Sequence, residues 1–331
     1  MPLSLPVLSD LPDEVVGIAA TLERAGFETW CVGGALRDRL LGSPAMDVDL
    51  ATAARPEEVR RLFPRTVAVG ARFGTVGVLD NQRVLHEVTT FRKDVETDGR
   101  HAVVEFGATL EEDLARRDFT INALAYHPIK REWRDPHAGA ADLEGRVIRA
   151  VGNPATRFAE DYLRILRALR FAARLRFTIE PETWRAAVAA APGLAGLSAE
   201  RVRDEWFKGL GSAQSIAALV TLWHQAGAAR EWVPELAAEY PFADDPPADR
   251  DPVLLTTGLC DMPDRVLERL RASNEEIARA RALRTGPPAP SDSDPRSVRR
   301  WMAEVEDGAD DLMRLARLRA GAEPEWGAVV A

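Results

Sequence analysis

Two short motifs near the beginning of the chain contain residue types suited to phosphate chemistry. Gly33 and Gly34 follow the apolar run "TWCV" and precede the amphipathic segment "ALRDRLLG". Glycines at a strand-to-helix turn permit close backbone approach, and the free N–H groups of a helix start attract anions. Asp47 and Asp49, in "MDVDL", are separated by one residue. On a strand their carboxylates lie on one face, with Cα atoms about 6.6 Å apart.

The paired aspartates are hard oxygen ligands of the kind that Mg²⁺ prefers. Two such ions, about 4 Å apart, would stabilise the attacking and leaving oxygens of an in-line phosphoryl displacement. Val48 between the aspartates predicts that the opposite strand face is buried. Glu87, in "HEVTTF", is a candidate third carboxylate, although a solvated strand glutamate fits the pattern equally well. A glycine turn and a surface Asp pair have separate structural explanations, but together they favour nucleotidyl transfer.

Arginines are concentrated in the segment 157–177, which contains six of them. The spacing predicts one helical face that carries Arg157, Asp161, Arg164 and Arg167. Cytosine and adenine present an amino donor beside a ring-nitrogen acceptor, whereas uracil and guanine present a carbonyl beside an N–H. An aspartate that accepts and an arginine that donates would therefore select CTP and ATP without a nucleic-acid template. The alternative is an exposed ion pair within the helix.

The hydrophobic periodicity changes along the chain and predicts the elements that position these residues. Up to about residue 150, short β-rich runs alternate with helical segments, which indicates a mixed α/β domain. From about residue 154 the spacing is helical. Two Pro/Asp-rich stretches, 241–252 and 285–297, interrupt it as linkers or exposed loops.

Composition excludes several classes of protein. The 331 residues are 46% hydrophobic and 29% charged, as expected for a chain that folds around its own core. Two cysteines and five scattered histidines provide neither a disulfide framework nor a His-rich metal cluster, which favours a reducing compartment. There is no basic, apolar leader and no run of eighteen apolar residues. We therefore expect a cytoplasmic protein that does not span a membrane.

The net charge of −9 conceals a local excess of basic residues. Residues 151–210 contain 10 Lys and Arg against 7 Asp and Glu, a local charge of +3. This part of the chain is therefore the expected contact for phosphate groups of a nucleic acid.

The motifs described above occur in order with three others over residues 25–210. These are "RRDFTINALAY" (116–126), "DPHAGAADLEGRVIRAVGNP" (135–154) and "LSAERVRDEW" (197–206). The series resembles the motifs of the class II tRNA nucleotidyltransferases, the family of bacterial CCA-adding enzymes and poly(A) polymerases. The resemblance covers more than half of the chain.

This resemblance implies an α+β fold: a polymerase-β-like nucleotidyltransferase head with a mixed sheet, followed by an all-α neck, body and short tail. The corresponding limits are 1–150 for the catalytic head, 151–210 for the neck that selects the nucleotide, and 211–331 for the body and tail that bind tRNA. Asp135 and Asp142 are interpreted as structural links between head and neck.

Individual roles are also implied, motif by motif. Asp47 and Asp49 would be the catalytic residues and would bind Mg²⁺, while Asp118 would hold the incoming ribose. Contacts with the triphosphate are implied for Gly33, Gly34 and Arg37, support of the same nucleotide site for Arg117 and Asn122, and base selection for Arg157, Asp161, Arg164 and Arg167. The alternative for "RRD" is a charge cluster at the start of a helix.

The activity implied is Mg²⁺-dependent addition of C and/or A to the tRNA 3′ end from CTP and ATP, with release of pyrophosphate. A specialist that adds only CC or only A, a poly(A) polymerase, and an inactive RNA-binding relative remain alternatives. The segment 94–102 resembles the family's flexible loop, and its Asp98, Gly99, Arg100 and His101 favour use of ATP. Met46 and Tyr162 depart from the family pattern. No protein partner is inferred.

Overall fold

The computed structural model describes residues 5–43, 47–70, 74–97, 102–243, 250–287, 289–290, 293–305, 308–321 and 326, with backbone alone at 94–97 and 102–104. The chain divides into two compact units. The first comprises Met1–Asp161 and Thr178–Trp184, and the second comprises Tyr162–Phe177 and Arg185–Ala331. Each unit is built from different elements.

The first unit combines strands with short helices. Its helices are α1 (Asp13–Arg24), α2 (Gly34–Leu40), α3 (Pro56–Leu62), α4 (Leu110–Ala115), α5 (Gly139–Glu144) and α6 (Pro154–Glu160), with a 3-10 helix at Thr120–Asn122. Its strands are β1 (Thr29–Val32), β2 (Asp49–Thr52), β3 (Thr66–Gly70), β4 (Thr75–Leu79), β5 (Leu85–Thr90), β6 (Arg92–Thr97), β7 (Ala102–Phe106), β8 (Ala125–His127), β9 (Glu132–Arg134), β10 (Val147–Ile148) and β11 (Thr178–Ile179).

Seven of these strands form one mixed sheet in the order β3-β4-β5-β2-β1-β8-β9. The central pair β2 and β5 is parallel, with Leu50 opposite Val88, while the other pairs in the sheet are antiparallel. Strands β6 and β7 form a separate hairpin, and β10 pairs with β11 in parallel. Since β5 follows β2 only after three intervening elements, this central pairing joins segments distant in sequence.

The sheet separates two apolar clusters, and β2 contributes to both. Val48 and Leu50 belong to the cluster that also contains residues of α1 and α3. Ala51 belongs to the cluster on the other face, together with Leu110 and Leu114 of α4. Because side chains alternate along a strand, Asp49 lies on the α4 face of the sheet.

The second unit is built on helices in the part of the chain that the structure describes. They are α7 (Leu163–Leu175), α8 (Pro181–Ala190, which begins in the first unit), a 3-10 helix (Ala191–Gly196), α9 (Ala199–Ser212), α10 (Ile216–Gln225), α11 (Ala228–Trp232), α12 (Pro252–Leu259), α13 (Pro263–Arg269), α14 (Asn274–Thr285), α15 (Pro295–Val305) and α16 (Ala309–Ala320). The expected α+β class, with a mixed sheet followed by helices, is confirmed. The predicted limits at 150/151 and 210/211 stay predictions.

None of the described helices combines the length and the apolar character that a bilayer crossing requires.

Candidate active site

The glycine turn brings the backbone against an acidic and a basic side chain. Val32, the last residue of β1, pairs with Asp49 of β2, so the next residue, Gly33, lies beside that aspartate. Gly33 has φ 86° and ψ −157°, a conformation that side chains disfavour. A Cβ atom there would lie 3.3 Å from Asp49 Oδ2 and 3.5 Å from Arg117 Nη1. Glycine at position 33 therefore permits all three groups to meet.

The acidic pair has the alternation that its sequence predicts. Val48 is buried, whereas Asp47 is exposed and Asp49 is half-buried. On the neighbouring strand, Glu87 immediately precedes Val88, just as Asp49 immediately precedes Leu50, and Leu50 and Val88 are register partners. Glu87 therefore lies at the level of Asp49 and on the same face of the sheet.

The negative charges of these carboxylates repel one another. Burial, then Glu87, then Asp47 raise the pKa of Asp49 to about 6, against a smaller lowering by Arg117. Glu87 therefore lies close enough to Asp49 to raise its pKa, which the sequence alone does not establish. Its role as a third carboxylate, which the sequence leaves open, becomes a proposal that this arrangement supports.

The donor set fits Mg²⁺ bound by two carboxylates. Like charges that raise the pKa of Asp49 are stabilised by a cation, and Mg²⁺ is usually held by one or two carboxylates together with substrate phosphates. Within the described residues, no group of three or more His, Cys, Asp or Glu side chains is arranged to hold a metal ion. The prediction that Asp47 and Asp49 are Mg²⁺ ligands stays a prediction, with Glu87 as a further charge near Asp49.

Arg117 is directed toward the glycine turn by two contacts. Its Nη2 lies 3.2 Å from Asp113 Oδ2, and its Nη1 donates to the carbonyl oxygen of Asn122 at 3.3 Å. Asp113 is 1% exposed and also accepts from Arg116 Nη2 at 2.7 Å. Burial disfavours its charge, but the two guanidinium groups outweigh burial and lower its pKa. Sequence analysis missed Asp113, although its position four residues before Arg117 is a recognisable pairing distance.

Arg37 is buried next to Gly34 of the glycine turn. It is 2% exposed, and a Cβ atom on Gly34 would lie 3.2 Å from its Nη2. Its Nη1 donates to Asn122 Oδ1 at 2.5 Å, and its Nε donates to Asp38 Oδ1 at 2.8 Å. The implied contact between Arg37 and a triphosphate stays a prediction, and this burial favours a supporting function instead.

Asp118 and Asn122 form the next part of the site. Asp118 Oδ1 accepts from the backbone N–H of Phe119 at 2.8 Å and from Asn122 Nδ2 at 3.0 Å. Both polar side chains are at least nine-tenths buried. The two donors fix the orientation of the Asp118 carboxylate.

The 3-10 helix that carries Asn122 is packed closely against α5. Thr120 Oγ1 donates to Asp142 Oδ2 at 2.6 Å, and a Cβ atom on Gly139 would lie 2.2 Å from the Thr120 carbonyl oxygen. Asp135 Oδ1 accepts from the backbone N–H of Gly139 at 2.7 Å. Asp135 and Asp142 therefore hold α5 and the 3-10 helix within the first unit, and their interpretation as links between head and neck stays a prediction.

The predicted single helical face of the arginine-rich segment is wrong. Helix α6 ends at Glu160, and α7 begins at Leu163. Between them Asp161 is extended, with φ −156° and ψ 103°. Beside the break, within the second unit, the ring of Tyr162 packs against Gly193, where an added Cβ atom would lie 2.2 Å from Tyr162 Cε1.

The four residues that were predicted to share one helical face therefore lie on different elements. Arg157, on α6, pairs with Glu160 and donates to the carbonyl oxygen of Ala115 at 3.2 Å. Asp161 is in the connection, and Arg164 is half-buried in the first turn of α7. In the second unit, Arg167 Nη1 lies 3.8 Å from Glu205 Oε1 on α9. Asp161 is the last residue of the segment Met1–Asp161 of the first unit, whereas Arg164 belongs to the second unit.

Some predicted features are beyond the described part of the chain. Asp98, Gly99, Arg100 and His101 of the predicted loop, and Met46 before the acidic pair, lie outside the described residues.

Two family models match the chain. Residues 29–149 match the poly A polymerase head domain. Residues 176–240 match the model described as a probable RNA and SrmB-binding site of polymerase A. The first match includes both glycines, both aspartates and Arg117.

The crystal structure of the Bacillus stearothermophilus CCA-adding enzyme in complex with CTP superimposes with a TM-score of 0.82. The two proteins are 33% identical, and the match covers 97% of this chain and 81% of that one. The chain belongs to the family of CCA-adding enzymes and poly(A) polymerases. The predicted polymerase-β-like head and helical body are thereby confirmed.

Other relatives support the same family membership. CCA-adding enzymes of Streptococcus gordonii and Leuconostoc mesenteroides are 50% identical over 206 residues and 48% identical over 217 residues, which is 61% and 64% of this chain. The chain spans about half the length of these family members, 51% and 54%. The Thermotoga maritima CCA-adding enzyme complexed with tRNA_CCA shares the fold, with a TM-score of 0.67 at 19% identity over 98% of this chain and 82% of that one.

Proposed function

We propose that this chain is a Mg²⁺-dependent tRNA nucleotidyltransferase, which adds C and/or A to the tRNA 3′ end from CTP and ATP and releases pyrophosphate. The observation that carries the proposal is the meeting of Gly33, Asp49 and Arg117, because it places backbone, carboxylate and guanidinium around one point. The relatives named CCA-adding enzymes support the choice of tRNA as the substrate.

Asp47 and Asp49 would hold Mg²⁺, with Glu87 adding negative charge beside them. When bound, the metal supplies charge stabilisation of the reacting phosphoryl group and lowers the pKa of the attacking hydroxyl. The half-buried position of Asp49 limits its freedom to turn away from the site, since its backbone is fixed in β2.

Arg117 is the cation that we assign to the triphosphate. It reaches the glycine turn, and Asp113 holds its guanidinium there. The backbone at Gly33 and Gly34 allows phosphate oxygens to approach without obstruction by a Cβ atom. Asp118 would accept a hydrogen bond from a ribose hydroxyl, and Asn122 would keep that carboxylate in position.

Base selection is assigned to the residues after the head. Asp161 would accept from the amino group of cytosine or adenine, and Arg164 would donate to the adjacent ring nitrogen. Arg157 and Arg167 would supply positive charge. The predicted single helix is replaced by α6 and α7, with Arg164 on α7 and Asp161 in the segment before it.

The test uses purified protein with tRNAs that end before CCA, after C and after CC. Each tRNA is incubated with Mg²⁺ and one labelled nucleotide at a time, and the Asp49→Asn variant is the control for contaminating activity. Addition of C and A in order supports a CCA-adding enzyme, while addition of C alone or A alone identifies a specialist. Extension of unrelated RNA with long A tracts would replace the proposal by poly(A) polymerase activity. No incorporation into any RNA would contradict it and favour a non-catalytic relative.

A cytoplasmic location belongs to the same proposal. Cys31 and Cys260 are buried free thiols, and burial raises the pKa of the Cys31 thiol to about 12. Two cysteines that form no disulfide are in keeping with a reducing compartment.

A further inference from the structure

Three buried polar side chains form a hydrogen-bonded series behind the glycine turn. Arg37 Nη1 donates to Asn122 Oδ1 at 2.5 Å, and Asn122 Nδ2 donates to Asp118 Oδ1 at 3.0 Å. Arg37, Asn122 and Asp118 are 2%, 6% and 9% exposed. The series begins on α2, crosses to the 3-10 helix and ends at the carboxylate to which the ribose contact is assigned.

The chemistry of the donors fixes the direction of this series. A guanidinium group has five N–H donors and no acceptor. The atom of the Asn122 amide that faces Arg37 must therefore be its oxygen. The amide nitrogen then faces Asp118, to which it can only donate. Without Arg37 the Asn122 amide loses one of the two hydrogen bonds that hold it, so it can rotate and weaken its donation to Asp118.

We propose that Arg37 is a positioning residue, which orients the Asp118 carboxylate through Asn122 and thereby strengthens the site's preference for ribonucleotides over 2′-deoxyribonucleotides. This inference rests on the proposed function, since it requires Asp118 to accept from the ribose. It assigns Arg37 a function away from the triphosphate. The deeper burial of Arg37, which is 2% exposed against 9% for Asp118, supports this assignment.

The chain contains a matched control for Arg37. Arg39 lies on the same helix α2, and each of the two side chains is 3% exposed. Arg39 Nη1 donates to the backbone carbonyl of Asp10 at 3.0 Å and pairs with the Asp10 carboxylate. Arg39→Met therefore removes a buried guanidinium from α2 without removing the hydrogen bond to Asn122.

The experiment measures kcat/KM for ATP and for 2′-deoxyATP on a tRNA that ends in CC, or with CTP and 2′-deoxyCTP if the protein adds only C. We expect Asp118→Asn to reduce the ratio of the two values about tenfold, the effect of one lost hydrogen bond to a charged group. Arg37→Met should reduce the ratio several-fold, and the double variant should be no lower than Asp118→Asn alone. Arg39→Met should leave the ratio unchanged even if it lowers Tm.

Asn122→Asp gives a second test if Arg37→Met does not fold. The new side chain has the same size and still accepts from Arg37, but it no longer donates to Asp118, so the ratio should again fall. An unchanged ratio in Arg37→Met or Asn122→Asp, with a reduced ratio in Asp118→Asn, overturns this inference alone. An unchanged ratio in Asp118→Asn overturns the ribose assignment within the proposed function, and the inference with it.

Discussion

Val32 and Asp49 are paired across the antiparallel strands β1 and β2, and this pairing places Gly33 against the Asp49 carboxylate. The arrangement depends on backbone geometry at two points: the register of the two strands and the positive φ of Gly33. A local change at position 33 should therefore affect activity more than the stability of the fold.

Gly33→Ala should abolish nucleotide incorporation. The added Cβ would lie 3.3 Å from Asp49 Oδ2 in a backbone conformation that costs about 1–3 kcal/mol for a side chain. Gly42→Ala is the matched control, because Gly42 also has positive φ, 80°, but no atom lies within 4 Å of its Cβ position. Thermal unfolding should show a loss of stability in both variants. Equal loss of activity in the two would show that strain, and not crowding of the site, is responsible.

Asp49→Asn should abolish incorporation without lowering stability in the absence of metal. Because the pKa of Asp49 is raised in the folded protein, from 3.8 to about 6, its ionised form destabilises the metal-free fold. The destabilisation begins as pH rises above about 4 and is complete above about pH 6, where it is on the order of 1–3 kcal/mol.

The measurement is the Tm of both proteins in EDTA from pH 4 to pH 8. The Tm of Asp49→Asn relative to the parent should increase over this range. Asp47→Asn, at the exposed position of the pair, is the comparison and should have a smaller effect on Tm. A lower Tm for Asp49→Asn at pH 8 would contradict the raised pKa of Asp49, which burial and then the neighbouring carboxylates cause.

The glycine turn and the acidic pair could be predicted from the sequence because their geometry is local. The two-residue repeat of an extended chain predicts Asp47 and Asp49 on one face, although β2 itself begins only at Asp49. Glu87 could not be assigned in the same way. Its proximity to Asp49 depends on the parallel pairing of β2 with β5, and three elements separate these strands in the sequence.

The interruption between α6 and α7 also could not be predicted from the local spacing. The apolar spacing on both sides of Asp161 is helical, so the pattern predicts one helix where the structure has two. Tyr162 packs against Gly193, thirty-one residues later, and no periodicity reports that contact. The burial of Arg37 was missed for the same reason, since it follows from its bond to Asn122.

Asp113→Asn should raise KM for the nucleotide and lower stability. The substitution leaves two partly buried guanidinium groups without the charge of their shared, buried carboxylate, and breaking a fully buried pair costs about 3–5 kcal/mol. Since the pKa of Asp113 is lowered in the fold, its contribution is complete above about pH 4 and is lost as pH falls through the folded pKa.

Glu111→Gln is the control for the loss of Asp113, because Glu111 is an exposed acidic residue on the same helix α4. Urea unfolding at pH 7 and initial rates at varied ATP or CTP should separate the two variants. A KM for Asp113→Asn equal to that of Glu111→Gln would contradict the anchoring of Arg117 by Asp113.

Asp161→Asn should weaken discrimination among bases more than it reduces the rate with any single nucleotide. The amide presents an N–H donor where the carboxylate only accepts, so the carbonyl of uracil becomes an acceptable partner, and one base-edge contact contributes about 1–3 kcal/mol of selectivity. Arg164→Ala should also reduce the preference for CTP over UTP, since it removes the donor to the ring nitrogen. The control is Arg174→Ala, in the last turn of the same helix α7. The measurement is kcat/KM for all four nucleotides. If the ratio of kcat/KM for CTP to kcat/KM for UTP is unchanged in both Asp161→Asn and Arg164→Ala, these residues do not select the base. The catalytic assignment of Asp47 and Asp49 would stand in that case.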